Sequence, residues 1–275
     1  MAGQKELFLD NRALQTPEVL SRILRIERPW IEACVMALEE TAEKVESFAA
    51  YKIQLKALLE EDEKTPPPSL IYLAEDATHD EFRFLVSQFA VDALTEAQAF
   101  LPIIPRLSYR SQMPMMRVLI DEFGCGNLGQ MHSNIYCDLL AELDLPTELE
   151  PHVEVACDEV FKYVNIFHWM TKRAISCEYF LGGLAWFESV VPWFFSFYMK
   201  ACERLGVASS KYFSEHIHID IFHARDVLQS LRAAEAEGPV DYTKVWVGSQ
   251  VAWQLASEAF DKVCELAKQS EVTRC

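Results

Sequence analysis

Three side chains that can bind a metal ion recur at helical spacing between residues 216 and 223. On a helix with 100° per residue, His216, Asp220 and His223 fall within about 60° of arc and point at one spot. Mixed nitrogen and oxygen ligands of this kind suit iron or manganese. Two histidines and an aspartate also occur on a solvated helix face or as hydrogen-bonded core groups, and the segment alone leaves that alternative open.

A second metal-binding pattern overlaps this segment. Glu215-x-x-His218 has the spacing that ferritin-like diiron bundles carry in two copies, but the chain contains no convincing second copy. His218 lies about 200° from His216 around the helix, so it is predicted to face away and to be structural. We therefore favour the pattern His-x-x-x-Asp-x-x-His.

A lone carboxylate interrupts the most apolar part of the chain. Residues 181–195 are apolar nearly all round, which indicates a buried helix, and Glu188 lies in the middle of this run. A buried carboxylate is costly unless it binds a metal ion or pairs with an arginine or lysine, and both readings remain open. Pro192 removes the amide that would bond to the Glu188 carbonyl, so a kink is expected. Gly182 and Gly183 would let a neighbouring helix approach closely.

Another carboxylate and another histidine flank a glycine-rich break. Glu122 ends a predicted helix and His132 follows ten residues later. On an unbroken helix the two side chains would stand about 80° apart. Gly124 and Gly126 permit backbone angles that could re-aim His132, although they could equally mark an ordinary helix end.

The elements that position these residues are predicted to be helices throughout. Thr78 and Glu81 have the spacing of a capping box, which opens a helix predicted over residues 80–100. Because no convincing strand is found, the predicted fold class is all-α, a bundle of about seven long helices. Further helices are predicted over about 148–170, 171–201, 210–234 and 242–268.

Composition limits the classes of function. The 275 residues are 51% hydrophobic, which is enough for one large core, and we predict a single domain over 1–275 with the metal-bearing helices within about 113–226. The formal charge of −17 would repel nucleic acid, and no Lys/Arg cluster offers a site for phosphates or anionic lipid.

The predicted location is the cytoplasm. Eight cysteines form no C-x-x-C pair in this large, core-rich chain, which favours reduced thiols over a disulfide scaffold. The N-terminal residues lack the apolar region of a signal peptide. Residues 179–199 are long enough to span a bilayer, but Glu188 and Pro192 interrupt them, so a buried core helix is expected instead of a membrane contact.

Taken together, the three segments resemble the haem-oxygenase-like diiron oxidases over about residues 113–226. That family carries a Glu, a glycine-interrupted stretch and a His on its first metal-bearing helix, a buried Glu on the second, and His-x-x-x-Asp-x-x-His on the third. The Asp-Glu-x-Gly-x-Gly…Met-His run is especially similar to the amino-acid-acting branch, and it makes a fatty-acid substrate less expected. The resemblance implies the metal ligands Glu122, His132, Glu188, His216, Asp220 and His223.

The resemblance also implies a seven-helix fold and two Fe²⁺ ions per chain that activate O₂. The expected activity is oxidation of a C–H bond of a small, amino-acid-type substrate by desaturation, oxidative fragmentation or ring closure. N-oxygenation of an amine or guanidine is the alternative enzyme activity, and a non-catalytic iron-binding bundle is the alternative of another class. A homodimer is left open. Arg173 is the candidate for binding the substrate carboxylate, and Trp186 and Phe187 are candidate walls of an apolar pocket.

Overall fold

The computed structural model describes residues 3–272, and all regular secondary structure in that range is helical. Short 3₁₀ and π-helical turns join the α-helices. The α-helices are α1 Gln4–Arg12, α2 Pro17–Ile31, α3 Ala37–Thr41, α4 Phe48–Lys64, α5 Pro68–Glu75, α6 His79–Ala93, α7 Gln112–Glu122, α8 His132–Glu142, α9 Leu149–Val155, α10 Asp158–Lys172, α11 Glu178–Leu205, α12 Lys211–Glu237 and α13 Tyr242–Val272.

The all-α class is confirmed, whereas the predicted number of about seven helices is wrong, since the described residues form thirteen. Several of the additional helices are short, and α3, α5 and α9 have only 5, 8 and 7 residues. Helices of one or two turns carry too few apolar positions for their periodicity to be recognised. A π-helical turn at Glu32–Met36 also divides one continuous run into α2 and α3.

The central element is α11, which packs against both α12 and α13. It is long and apolar enough to cross a membrane. Most of its apolar segment is buried inside the protein, however, which is consistent with a soluble protein. The predicted close approach occurs at Gly182, where a Cβ atom would lie 1.7 Å from the Val245 carbonyl oxygen of α13. Ser249 of α13 donates a hydrogen bond of 2.8 Å to the Gly182 carbonyl. This contact sets the distance between the two longest core helices.

Helix α6 begins as predicted but ends seven residues early. The capping box is present, because the Thr78 side chain accepts from the Glu81 amide and the Glu81 side chain accepts from the Thr78 amide. The chain leaves the helix after Ala93 and passes through turns, in which Ala97 has a φ of 59°. Glu96 therefore lies on a turn directly after the helix.

The glycine-rich break after α7 folds the chain back on itself. Gly124 has a φ of +60°, and a Cβ atom there would lie 2.5 Å from the backbone of Gln130 and Met131. Only glycine leaves room for this approach. The fold-back brings the start of α8 next to the end of α7.

Candidate metal centre

The structure brings the six predicted ligands together from four helices. Glu122 is the last residue of α7, and His132 is the first residue of α8. Glu188 lies in α11, and α12 contributes the remaining three ligands. All six side chains are buried, with at most 5% exposure. The neighbouring His218 is exposed, as its place on the opposite face of α12 requires.

One group of ligand atoms is formed around the two ends of the glycine-rich break. It contains Glu96, Glu122, His132 and His216, whose ligand atoms all lie within 4.8 Å of one another. His132 Nδ1 lies 2.7 Å from Glu122 Oε2, and His216 Nε2 lies 3.2 Å from Glu96 Oε1. Two carboxylates and two imidazoles thus surround one point.

A second group is formed around His223. Its Nδ1 atom lies 3.2 Å from Glu122 Oε1, 3.3 Å from Asp220 Oδ1 and 3.4 Å from Glu188 Oε2. The ligand atoms of Glu122, Asp220 and His223 lie within 4.8 Å of one another, and Glu188 approaches the group from α11. Three carboxylates and one imidazole surround this second point.

Glu122 belongs to both groups. Its Oε2 atom faces His132, whereas its Oε1 atom faces His223. Glu122 would thus offer one oxygen atom to each of the two groups if both held a metal ion. The arrangement therefore fits two neighbouring metal sites.

Several of these buried polar atoms have no directional hydrogen bond within the described residues. They include Glu122 Oε2, His132 Nδ1, both carboxylate oxygens of Asp220 and both ring nitrogens of His223. Unsatisfied buried groups of this kind are costly and require an explanation. Atoms that lie close together without bonding to one another converge on a common centre, which is the geometry of metal ligands.

The charges of the site support the same interpretation. Glu96, Glu122, Glu188 and Asp220 carry four formal negative charges, which two divalent cations would neutralise. Burial, followed by the charge of Asp220, raises the pKa of Glu188 to about 8. Burial also raises the pKa of Asp220, against the attraction of His216. Without a metal ion, Glu188 and Asp220 thus resist ionisation.

The pKa values of His216, His223 and Glu122 are shifted toward the charged form instead. Burial alone would lower the pKa of His216, but the carboxylates of Glu96 and Asp220 raise it well above its ordinary value. The pKa of His223 is likewise raised, because its contacts with three carboxylates outweigh its burial. Burial would raise the pKa of Glu122, yet His132 and His223 hold it below its ordinary value. These side chains thus form a network of protonated imidazoles and an ionised carboxylate at the place where a metal cation would otherwise lie.

A backbone hydrogen bond orients one of the imidazoles. His216 Nδ1 lies 2.7 Å from the Tyr212 carbonyl oxygen, one helical turn earlier. Because a carbonyl oxygen only accepts, Nδ1 carries the proton, and the Nε2 lone pair of a neutral ring then faces Glu96 and the first group. Partners of this kind fix the tautomer of metal-binding histidines.

Glu96 is the site residue that the sequence did not reveal. It falls inside the helix predicted over residues 80–100, where no pattern of spacing singled it out. Its Oε2 atom accepts a hydrogen bond of 2.9 Å from the Tyr212 hydroxyl, while Oε1 faces His216. One local feature of the sequence indicates that the helix ends near Glu96. Leu101-Pro102 follows five residues later, and a helix often ends before a proline.

An apolar cavity with a volume of about 120 Å³ adjoins the first group. Trp186 and Phe187, the two predicted wall residues, are among the residues that line it. Tyr212 connects the cavity to the metal centre, since it lines the cavity and its ring lies 4.4 Å from that of His216. Twelve aromatic side chains form most of the wall, namely Phe89, Tyr136, Tyr163, Trp186, Phe187, Trp193, Phe194, Phe195, Tyr198, Tyr212, Phe213 and Phe260.

Arg173, the predicted partner of a substrate carboxylate, is not brought to this cavity. Its guanidinium forms an ion pair with Glu27 and donates a hydrogen bond of 2.8 Å to Asn11. Glu27 is buried, so Arg173 neutralises a charge that the core would otherwise enclose alone. The geometry gives Arg173 a structural role that links α10 to α2.

Comparison with known proteins agrees with this chemistry. Residues 83–257, more than half of the chain, match a family described as iron-containing redox enzymes. A nitrosourea synthase from Streptomyces achromogenes subsp. streptozoticus is 26% identical over 185 residues. The match covers 64% of this chain but only 38% of that protein's length.

Proposed function

Because the chain belongs to the family of iron-containing redox enzymes, we propose that it is a non-haem diiron oxidase that uses O₂. The proposal rests above all on one observation, the two buried groups of ligand atoms that share Glu122. A haem-oxygenase-like fold, formed as one domain over residues 1–275, is the architecture that we propose for it. Its proposed location is the cytoplasm.

The two proposed iron sites follow from the distances between ligand atoms. Two Fe²⁺ ions held by four carboxylates and three imidazoles would supply the electrons that reduce O₂, and this ligand set suits iron. Burial of all six predicted ligands keeps water away from the reaction. One site comprises Glu96, Glu122, His132 and His216, and the other comprises Glu122, Glu188, Asp220 and His223.

The proposed substrate is a small molecule of amino-acid type that enters the aromatic cavity. Oxidation of a C–H bond, by desaturation, fragmentation or ring closure, is the first candidate reaction. The cavity supports it because apolar walls beside the first iron site would hold a C–H bond in a dry environment.

N-oxygenation is a second candidate, and a specific observation favours it. The relative from Streptomyces achromogenes is named for the synthesis of a nitrosourea, a class of compound that contains an N-nitroso group. Oxidation of nitrogen is the type of reaction that such a product requires. The two candidates use the same irons and the same cavity, and they differ in the atom that is oxidised.

Mass spectrometry of the product separates the candidates and tests the function itself. The chain is loaded with Fe²⁺ under argon, mixed with a panel of amino acids and amines, and exposed to O₂. Loss of two hydrogens or of a fragment supports C–H oxidation, whereas a nitrogen-bound added oxygen supports N-oxygenation. Iron binding without O₂-dependent conversion of any compound would instead support the non-catalytic alternative.

Matched variants on the metal-bearing helices test whether the proposed ligands carry the reaction. His223→Ala and Glu188→Ala should abolish conversion and leave the helical circular dichroism unchanged. His218→Ala, on the exposed face of α12, is the control and should retain wild-type conversion. Full activity in either ligand variant would contradict the assignment.

A further inference from the structure

The lining of the aromatic cavity has an unusual distribution of charge. Three carboxylates line it, those of Asp62, Asp92 and Asp261, whereas no lysine, arginine or histidine is among the lining residues in the described part of the chain. A carboxylate on a substrate would therefore meet like charges and no cation from the cavity wall. An ammonium group would meet opposite charges and aromatic faces, both of which attract cations.

Two of the three carboxylates are less suited to bind a substrate. Asp62 accepts a hydrogen bond of 3.1 Å from the Trp253 indole, and Asp261 is exposed to solvent. Asp92 lies in the last turn of α6, four residues before Glu96, where the cavity adjoins the first iron site. Of the three acidic groups, it is thus the one on which the charges of Glu96 and His216, two ligands of the first iron site, act directly.

The surroundings of Asp92 leave its negative charge poorly compensated. Burial, followed by the nearby charge of Glu96, raises the pKa of Asp92 to about 8, against a hydrogen bond from the Tyr163 hydroxyl and the attraction of His216. Apart from burial, three groups thus act on it, namely Glu96, Tyr163 and His216. A bound cation would supply the missing charge.

The cavity wall also carries neutral donors, among them the buried hydroxyl of Ser69. Trp186 lines the cavity, and its buried indole N–H has no acceptor among the described residues. Neutral donors of this kind supply no positive charge that could pair with a substrate carboxylate.

Resting on the proposed diiron function, but with a substrate other than the amino-acid type of the first candidate reaction, we infer that the cavity selects a cationic amine that Asp92 holds. This amine has an apolar body and no carboxylate. The chemical class is a primary alkyl or arylalkyl amine. Asp92 binds the ammonium group, the aromatic wall encloses the apolar body, and Tyr212 lies between the bound amine and the ligands of the first iron site.

Three probes with the same phenyl-ethyl body test the inference. These are 2-phenylethylamine, phenylalanine and 3-phenylpropanoate, which present an ammonium group, both charges and a carboxylate, respectively. Binding to the full chain is measured by calorimetry and by tryptophan fluorescence, since Trp186 and Trp193 line the cavity. Both the metal-free and the anaerobic Fe²⁺-loaded protein are titrated.

We expect 2-phenylethylamine to bind at least about tenfold more tightly than either of the other probes, because each lacks a favourable charge or adds an unfavourable one. Asp92→Asn should remove this preference by weakening amine binding about tenfold or more, and Asp92→Glu should restore part of it. Asp138→Asn, an exposed aspartate of α8 outside the cavity, is the control and should bind as the wild type does. Circular dichroism establishes that each variant is folded.

Equal or tighter binding of phenylalanine or 3-phenylpropanoate would overturn the inference, as would wild-type amine binding by folded Asp92→Asn. These results are distinct from failure of the proposed function. Loss of amine preference in a protein that binds iron and consumes O₂ would contradict only the substrate class. Amine preference in a protein that binds no iron would contradict the diiron function and leave the amine site intact.

Discussion

Glu122 is the residue on which both proposed iron sites depend. Glu122→Ala removes a ligand from each group, whereas Glu96→Ala removes a ligand from the first group alone. We expect Glu96→Ala to retain about one tightly bound iron and Glu122→Ala to retain less than one, as measured by iron analysis after anaerobic loading and desalting. Glu40→Ala, an exposed control on α3, should bind as much iron as the wild type. Equal iron content in all three variants would contradict the shared-ligand geometry.

The raised pKa of Asp92 predicts a pH-dependent stability in the metal-free chain. Burial holds the folded-state pKa at about 8, above the ordinary value of 3.8, so the folded protein retains a proton that the unfolded chain releases. This favours unfolding increasingly as the pH rises from about 4 to about 8. The thermal unfolding temperature of the wild type should therefore fall relative to that of Asp92→Asn over this range. Parallel curves for the two proteins would contradict the shift.

Single residues differed in how well the sequence predicted their positions. His216, Asp220 and His223 were placed on one face by helical spacing alone, and the cost of burying a charge singled out Glu188. Glu122 and His132 were identified only through the family resemblance, because the glycine-rich break between them prevents a prediction from helical spacing. Glu96 was not predicted, since its position depends on how α6 ends. Arg173 was assigned to a substrate because the sequence does not show that Glu27 lies beside it.

At the scale of elements, the break between α7 and α8 determines whether Glu122 and His132 meet. Gly124→Ala would place a Cβ atom 2.5 Å from the Gln130 and Met131 backbone and would add a left-handed backbone cost of about 1–2 kcal/mol. We expect a marked loss of iron affinity at the first site, measured by anaerobic titration.

Gly126→Ala is the matched control for the break. Gly126 also has a positive φ, of +82°, but a Cβ atom there meets nothing within 4 Å. It should therefore incur a backbone cost without the clash and retain more of the iron affinity. Similar losses in the two variants would show that backbone conformation, rather than close approach, controls the site.

At the contact between α11 and α13, a single added Cβ atom should likewise have a large effect, in this case on stability. A Cβ atom at Gly182 would lie 1.7 Å from the Val245 carbonyl oxygen, so Gly182→Ala must separate the two helices. We expect a loss of about 1–3 kcal/mol or more in the free energy of unfolding, measured with urea. At Gly183 the nearest atom, at 3.2 Å, belongs to the flexible Met170 side chain, so Gly183→Ala should cost less. A larger loss at Gly183 would contradict this packing.

Helices were predicted well where the hydrophobic periodicity extends over many turns, and poorly where it extends over only one or two. The buried helix around Glu188 and the helix that carries His216 were both expected, as was the capping box that opens α6. The end of α6 was misplaced, because Ala97 adopts a left-handed conformation that nothing in its residue type predicts. Short helices such as α9 were not predicted as separate helices, which explains the wrong helix count.

At the scale of the whole molecule, the fold concentrates charge where metal ions would neutralise it. The chain carries a formal charge of −17, yet only a few of its carboxylates are buried, and Glu122, Glu188 and Asp220 are buried together. The sequence predicted that these groups belong to one centre, but it could not show their spacing. That spacing depends on how α7, α8, α11 and α12 pack, which is a property of the entire bundle.

Anaerobic titration of the full chain with Fe²⁺ is the most direct test of the central claim. Bound iron is counted per chain, and O₂ uptake is then recorded with and without an added amine or amino acid. The account predicts saturation at two irons per chain and O₂ uptake that requires both of them. Saturation at one iron or fewer, with Glu122, Glu188 and His223 intact, would contradict the diiron centre.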